Sequence, residues 1–136
     1  LNSDLTPERK REVLYYRAKA LLATDNNRAE KDLAELAKDT RTIQGAEAKY
    51  LLAQLMFDQK REKDCEEEIM DYIETSTPHS YWLARSFILL ADLYVAQERK
   101  MEAKQYLLSL QNNYDGDDDI KQLIEQRLKK LETENQ

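Results

Sequence analysis

The sequence predicts an all-α fold: three helical hairpins stacked as a solenoid and closed by a C-terminal capping helix. Three observations carry this expectation. The stretch 46–114 overlays on itself after a shift of 38 residues. Leu52-Ala53 falls on Leu90-Ala91, Met56 on Tyr94, Cys65 on Ala103, Ile69 on Leu107 and Tyr72 on Leu110. A fixed period in this range marks stacked repeats. Only two Gly and two Pro occur in 136 residues, which starves sheets of turn residues and favours long helices with short links. Apolar residues also recur at helical spacing along most of the chain.

Each element has a local reason. The first helix, about 7–23, opens on Thr6-Pro7. A threonine N-cap satisfies one orphan amide, and proline at the first helical position pre-sets φ. Asp25-Asn26-Asn27 makes a turn. The second helix, about 27–38, carries Ala29, Leu33, Leu36 and Ala37 on one side. The third, about 43–58, holds Ala48, Leu51, Leu52, Leu55 and Met56, and Lys60-Arg61 is its turn. The fourth, about 62–75, buries Cys65, Ile69, Tyr72 and Ile73 and exposes Glu66, Glu67, Glu68 and Asp71. Thr77-Pro78 repeats the first start signal and opens the fifth helix, 78–96. That helix is apolar on nearly all sides, from Trp82 to Val95, and so expects neighbours on several sides. The sixth, about 100–113, presents Ala103, Tyr106, Leu107 and Leu110. Asp115-Gly116-Asp117 breaks the chain before the seventh, about 118–133. These elements group into a single domain spanning 1–136, with repeats at about 6–40, 42–76 and 77–114 and a capping helix at about 117–133.

The two ends differ. The seventh helix has one apolar stripe, Ile120, Leu123, Ile124, Leu128 and Leu131, as a terminal cap requires. In the first helix Val13, Leu14, Tyr15, Tyr16, Leu21 and Leu22 point almost all round. The expectation is that further repeats preceded Leu1, making this the C-terminal part of a longer repeat protein, or that this face is an interface. The chain begins without Met, which fits a mature chain or an excised fragment and leaves cell envelope, periplasm and cytoplasm all open.

Composition excludes several functions. A net charge of −6 repels a phosphate backbone, so nucleic acid is not expected as a ligand. No run of about 18 apolar residues is present, so membrane insertion is not expected. The sole cysteine, Cys65, forms no internal disulfide. Too few glycines exist for a phosphate-binding loop. The single histidine, His79, follows Pro78 without a signalled nucleophile or orienting carboxylate, and is read as a surface or capping residue. Cys65 sits where a small buried residue is wanted, and a buried thiol behaves as a small hydrophobe. Asp115, Asp117, Asp118 and Asp119 suggest a calcium loop, but Ile120 and Gln126 stand where such a loop needs Gly and Glu. They are read as a turn and N-cap. Glu66-Glu67-Glu68 is read as a solvated face, since adjacent helical residues do not face one another. No catalytic residue, metal site or cofactor is expected, and the chain is read as a non-enzyme.

The repeat resembles the tetratricopeptide repeat (TPR) family. The small residue of each first helix appears as Ala18, Ala53 and Ala91, with Leu21, Met56 and Tyr94 three positions on. The small residue of each second helix appears as Ala29, Cys65 and Ala103. The resemblance covers about residues 8–114 and is closest to divergent bacterial TPR proteins, including those of the cell envelope. It departs from the family at the turn glycine, where Asp25, Lys60 and Glu98 stand, and at the tyrosine after it, where Asn27, Glu62 and Lys100 stand. What the resemblance implies is a right-handed α–α superhelix whose first helices line a concave groove. Carried over by position, that groove is Glu12, Tyr15, Lys19 and Leu22, then Glu47, Tyr50, Gln54 and Phe57, then Arg85, Ile88, Asp92 and Val95. The implied function is a non-catalytic interaction module that holds a partner peptide or helix. Tyr15 and Tyr50 would serve as aromatic anchors, with Lys19, Arg85 and Asp92 setting orientation. The Lys/Asn clamp by which some members hold a carboxyl terminus is not formed, because the matching pairs are Tyr15/Lys19, Tyr50/Gln54 and Ile88/Asp92. The alternative is a structural spacer or self-association element, including a homodimer through the first helix.

Overall fold

The computed structural model describes residues 5–134. Those residues form seven α-helices and no strand: α1 (Pro7–Leu22), α2 (Asn26–Leu36), α3 (Ile43–Asp58), α4 (Glu62–Glu74), α5 (Ser80–Ala96), α6 (Lys100–Asn113) and α7 (Ile120–Glu134). They gather into two compact units that divide between His79 and Ser80. In the first unit α1 packs on α2, α2 on α3, α3 on α4, and α1 also on α3. In the second, α5, α6 and α7 each pack on the other two.

The helix starts show which local signals survive. Thr6 caps α1: its hydroxyl oxygen accepts from the Arg9 amide at 3.2 Å, and Pro7 is the first helical residue. Asp25 caps α2 through Arg28 N at 3.2 Å, and Thr42 caps α3 through Gly45 N at 2.9 Å. Thr77-Pro78, the matching signal expected to open α5, does not start a helix. The Thr77 hydroxyl donates to the Thr40 carbonyl at 2.7 Å and accepts from the His79 amide at 3.1 Å. It is committed to a loop-to-loop tie, and α5 begins at Ser80 instead. Thr40 returns the tie through its own hydroxyl to the Ser76 carbonyl at 3.3 Å. His79 takes part: its Nε2–H donates to the Arg41 carbonyl at 3.0 Å, so the ring staples the same corner.

The helix ends explain the missing turn glycines. Lys60 and Glu98 both have φ of 61°, the left-handed region that glycine adopts at least cost. After α3, Arg61 N bonds Met56 O at 2.9 Å and Lys60 N bonds Phe57 O at 3.0 Å. After α5, Arg99 N bonds Tyr94 O at 2.8 Å and Glu98 N bonds Val95 O at 3.0 Å. These are two Schellman caps, 38 residues apart. An arginine fork buttresses each. Arg61 reaches Gln59 and Asp64, and Arg99 reaches Gln97 and Glu102 in the same pattern. A left-handed non-glycine residue costs about 1–2 kcal/mol, against about 0.4–1 kcal/mol of extra chain entropy that glycine brings to the unfolded state. Lys60→Gly and Glu98→Gly are therefore each expected to raise stability by roughly 0.5–1 kcal/mol. Thermal denaturation checks this, and a lower melting temperature would contradict the cap geometry.

The core follows the repeat. Ala18, Ala53 and Ala91 of the first helices and Ala29, Cys65 and Ala103 of the second are all fully buried. Small side chains at these points let the paired helices approach closely. Leu33, Ile69, Leu90, Leu93 and Leu107 fill the space beside them. In the second unit Ile120, Ile124 and Leu131 of α7 are buried while Lys121, Gln122 and Lys129 are exposed, which is the one-sided burial expected of the last helix.

Candidate binding surface on α1 and α3

Residues 12, 15, 19 and 22 recur at intervals of three and four and so share one face of α1; residues 47, 50, 54 and 57 do the same on α3. Because α1 packs on α3, the two rows meet. Their junction is a polar triad. The Tyr15 hydroxyl donates to Glu47 Oε1 at 2.8 Å, and Lys19 Nζ bonds Glu47 Oε2 at 2.6 Å. The Lys19 ammonium also lies 5.4 Å from the centre of the Tyr15 ring. Glu47 is only 8% exposed, and a carboxylate so far from water needs both oxygens satisfied. Burial, then the bond to Glu47, pushes the Tyr15 hydroxyl above its ordinary pKa. The bond to Glu47 outweighs burial and raises Lys19 as well. The triad is therefore a fixed, charged seam that leaves the outer side of Lys19 and part of Tyr15 in solvent.

Other residues assigned to the groove are placed differently. Tyr50 is 7% exposed and its hydroxyl donates to Gln54 Oε1 at 3.1 Å, while Gln54 donates onward to Asp58 at 2.9 Å. Tyr50 is thus a packed residue rather than an exposed anchor. Ile88, at 2% exposed, is core. Asp92 is not a free orienting group, since both its oxygens accept from Arg127 of α7 at 3.3 and 3.2 Å. It ties α5 to α7. Arg85 rests on Tyr81, with Nη1 donating to the Tyr81 hydroxyl at 2.9 Å. Glu12 is exposed, and Leu22, Phe57 and Val95 are half-buried. The reason is common to these cases. Spacing gives the angle at which a side chain leaves its helix, whereas exposure depends on how far neighbouring elements extend over that angle.

The sequence reading missed the lysine in the apolar run of α3. Lys49 is buried, yet its ammonium bonds Glu68 at 2.6 Å and also Asp71, both on α4. Burial alone would lower its pKa, but the bonds to Asp71 and Glu68 prevail and raise it. The amine stays protonated at neutral pH and is therefore no nucleophile. A cavity of about 280 Å³ lies beside it, walled by Ala34 and Ala37 of the α2 end and by Thr75. The visible signal was a lone cation set three and four residues from Ala46, Leu52 and Ala53, with acids on the next helix. Two further contacts tie the elements together: the Arg17–Asp32 fork at 2.7 and 2.8 Å joins α1 to α2, and Arg61, in the turn before α4, reaches Glu30 of α2 at 2.7 Å.

The residues that suggested chemistry are engaged structurally. Cys65 is fully buried, and burial pushes its thiol up to about 12. Asp118 accepts from the Ile120 amide at 3.0 Å at the start of α7, with the Tyr114 hydroxyl on its other oxygen. Among the described residues no group of three or more His, Cys, Asp or Glu could hold a metal ion, and no helix is long and apolar enough to cross a membrane. No protein-family model, curated protein or solved structure matches the chain.

Proposed function

We propose that the chain is a non-catalytic protein–protein interaction module of TPR type, whose hairpins belong to a right-handed superhelix and whose α1/α3 face receives a segment of a partner protein. The observation that carries the reading is the seam itself. The first helices of successive hairpins lie side by side and are locked by Tyr15, Lys19 and Glu47, leaving an amphipathic aromatic and a cation at a fixed spacing. A rigid pair of this kind offers an apolar contact and a charge without ordering cost at binding. The small buried residues and the paired Schellman caps at repeat spacing support the TPR-type architecture.

The ligand expected is a short extended or helical segment. It would lay an apolar side chain against Tyr15 and Phe57 and a carbonyl or carboxylate against Lys19. Selection of displayed random peptides on the immobilised chain, followed by backbone amide NMR titration with a selected peptide, tests this. Saturable shifts confined to residues 12–22 and 47–57, weakened about tenfold or more by Glu12→Lys with Lys19→Ala, are the expected result. A library that yields no binder, or shifts that map away from α1 and α3, would overturn the reading.

A further inference from the structure

We infer that the outer face of α1 docks against the outer face of α4 of a second copy of this chain, head to tail. Two large apolar side chains stand in water on α1: Val13 is 54% and Tyr16 70% exposed. With Arg9 and Ala20 they form a stripe at intervals of four, three and four, on the side of α1 away from Ala18 and Leu21. An adjacent apolar pair rimmed by polar residues is the kind of surface that a partner covers. Charge identifies what covers it. Although the whole chain is −6, α1 carries Arg9, Lys10, Arg11, Arg17 and Lys19 against only Glu8 and Glu12. Arg17 and Lys19 are engaged by Asp32 and Glu47, so the outward positive charge of α1 is that of Arg9, Lys10 and Arg11. The complementary surface is α4, which has seven acidic residues and one lysine, Lys63; Asp64, Glu68 and Asp71 hold Arg61 and Lys49, while Glu67 and Glu74 lie on its exposed side. Its outer stripe of Lys63, Glu67, Met70 and Glu74 is exposed and centres on Met70, an apolar contact for Tyr16.

In one chain these faces belong to separate layers, since α4 packs on α3 and α1 packs on α2 and α3. Two α1 faces meeting symmetrically would set one basic helix against another, whereas α1 on α4 sets basic against acidic. The contact is heterologous, so a pair leaves α4 free on one copy and α1 free on the other, and mass grows beyond a dimer. A single helix pair covers less than the roughly 800 Å² per partner of a stable interface. The association is therefore weak and salt-sensitive. It involves the side of α1 that adjoins the seam with Glu47, where the Tyr16 ring meets that of Tyr15 at 5.3 Å, and it is read by self-association rather than by peptide binding.

Sedimentation velocity on the chain tests this at about 0.01 M and about 1 M salt, where charges are felt over about 30 Å and 3 Å. The weight-average mass is expected to rise with protein concentration at low salt and to return to that of the monomer at high salt. Arg9→Glu with Lys10→Glu should abolish the rise, as should Glu67→Lys with Glu74→Lys. A chain carrying all four changes should regain it, because the charges are then exchanged. All four positions are exposed, and circular dichroism verifies the fold of each variant. A wild type that stays monomeric at low salt overturns the proposal. So does association untouched by the α4 changes, which would mean α1 against α1, or a folded four-fold variant that stays monomeric.

Discussion

Gly45→Ala is expected to destabilise the chain by about 3 kcal/mol or more, against what helix propensity alone would give. Gly45 lies in the first turn of α3, and alanine there should gain about 1 kcal/mol on intrinsic preference. The surroundings forbid it. A β-carbon at Gly45 would stand 1.9 Å from the Asp39 carbonyl oxygen, 2.7 Å from the Asp39 carbonyl carbon and 2.7 Å from the Leu36 carbonyl oxygen. All three are backbone atoms of the connection between α2 and α3, so no side chain can swing away. The corner is held from several directions. Thr42 donates to the Asp39 carbonyl at 2.9 Å, Gly45 N bonds Thr42, and Thr40 is tied to Ser76 and Thr77. Relief requires the α2–α3 corner to move bodily, at the upper end of what overpacking costs. Urea denaturation followed by circular dichroism measures it. A stability equal to or above wild type would mean that the corner yields, and the close approach would then not be what selects glycine.

Alkaline destabilisation should be steep, and Cys65 should account for a large part of it. The thiol has an ordinary pKa of 9.0 and is pushed up to about 12 by burial first and by neighbouring acids, Glu66 foremost, second. A group that holds its proton more tightly when folded contributes stability that is complete below the unfolded value and lost as pH climbs toward the folded one. The window is therefore about pH 9 to 12. Within it Cys65 removes about 1.4 kcal/mol per pH unit, about 4 kcal/mol in all. Burial raises Tyr15, Tyr72 and Tyr81 in the same direction, so the loss continues above pH 10. Cys65→Ala places at this position the residue found at Ala29 and Ala103 in the other hairpins. It should cost some packing at every pH yet flatten the slope of stability against pH between 9 and 11 by about 1.4 kcal/mol per unit. An unchanged slope would show that the thiol is not what titrates. The same burial predicts that native Cys65 resists a thiol reagent at pH 8 on a timescale set by unfolding.

Lys49 is a second group whose charge is set by its surroundings. Truncating one partner of a buried ion pair leaves the other uncompensated, typically at about 3–5 kcal/mol. Its partners here are partly solvated, Glu68 at 18% and Asp71 at 65% side-chain exposure, which places Lys49→Ala below that range, at about 2 kcal/mol. Thermal denaturation reads it, and Glu68→Gln should cost less because Asp71 remains to hold the ammonium.

How much of this was legible in the sequence depended on the kind of interaction. The helices and the small buried residues were readable because both rest on periodicity within a segment. Ala18, Ala53 and Ala91 announce close helix approach wherever they recur, and Thr6-Pro7 caps α1 with atoms only three residues away. Thr77-Pro78 carries the same local signal and does not open a helix: the Thr77 hydroxyl accepts from the His79 amide two residues on while it donates to the carbonyl of Thr40, 37 residues earlier. The candidate surface divides the same way. The TPR resemblance put Tyr15, Lys19 and Glu47 on the first helices of neighbouring hairpins, but that they close into a triad is a property of how α1 lies on α3. Tyr50, Ile88 and Asp92 had the right angle for a groove and are buried or engaged instead, since a neighbour's reach is not encoded in the helix that it covers.

The sequence by itself determined an all-helical chain, the positions of its turns to within a few residues, and the small side chains at which paired helices cross, because each of these depends on neighbours at short range. Only the tertiary structure decided that Lys60 and Glu98 hold left-handed turns, that Gly45 must lack a side chain, that the Lys49 charge is paired across α3 and α4 and that Val13 and Tyr16 are left in water. Gly45 and Lys49 are fixed by atoms of neighbouring elements, whereas the turns at Lys60 and Glu98 close through bonds within five residues that no glycine announces.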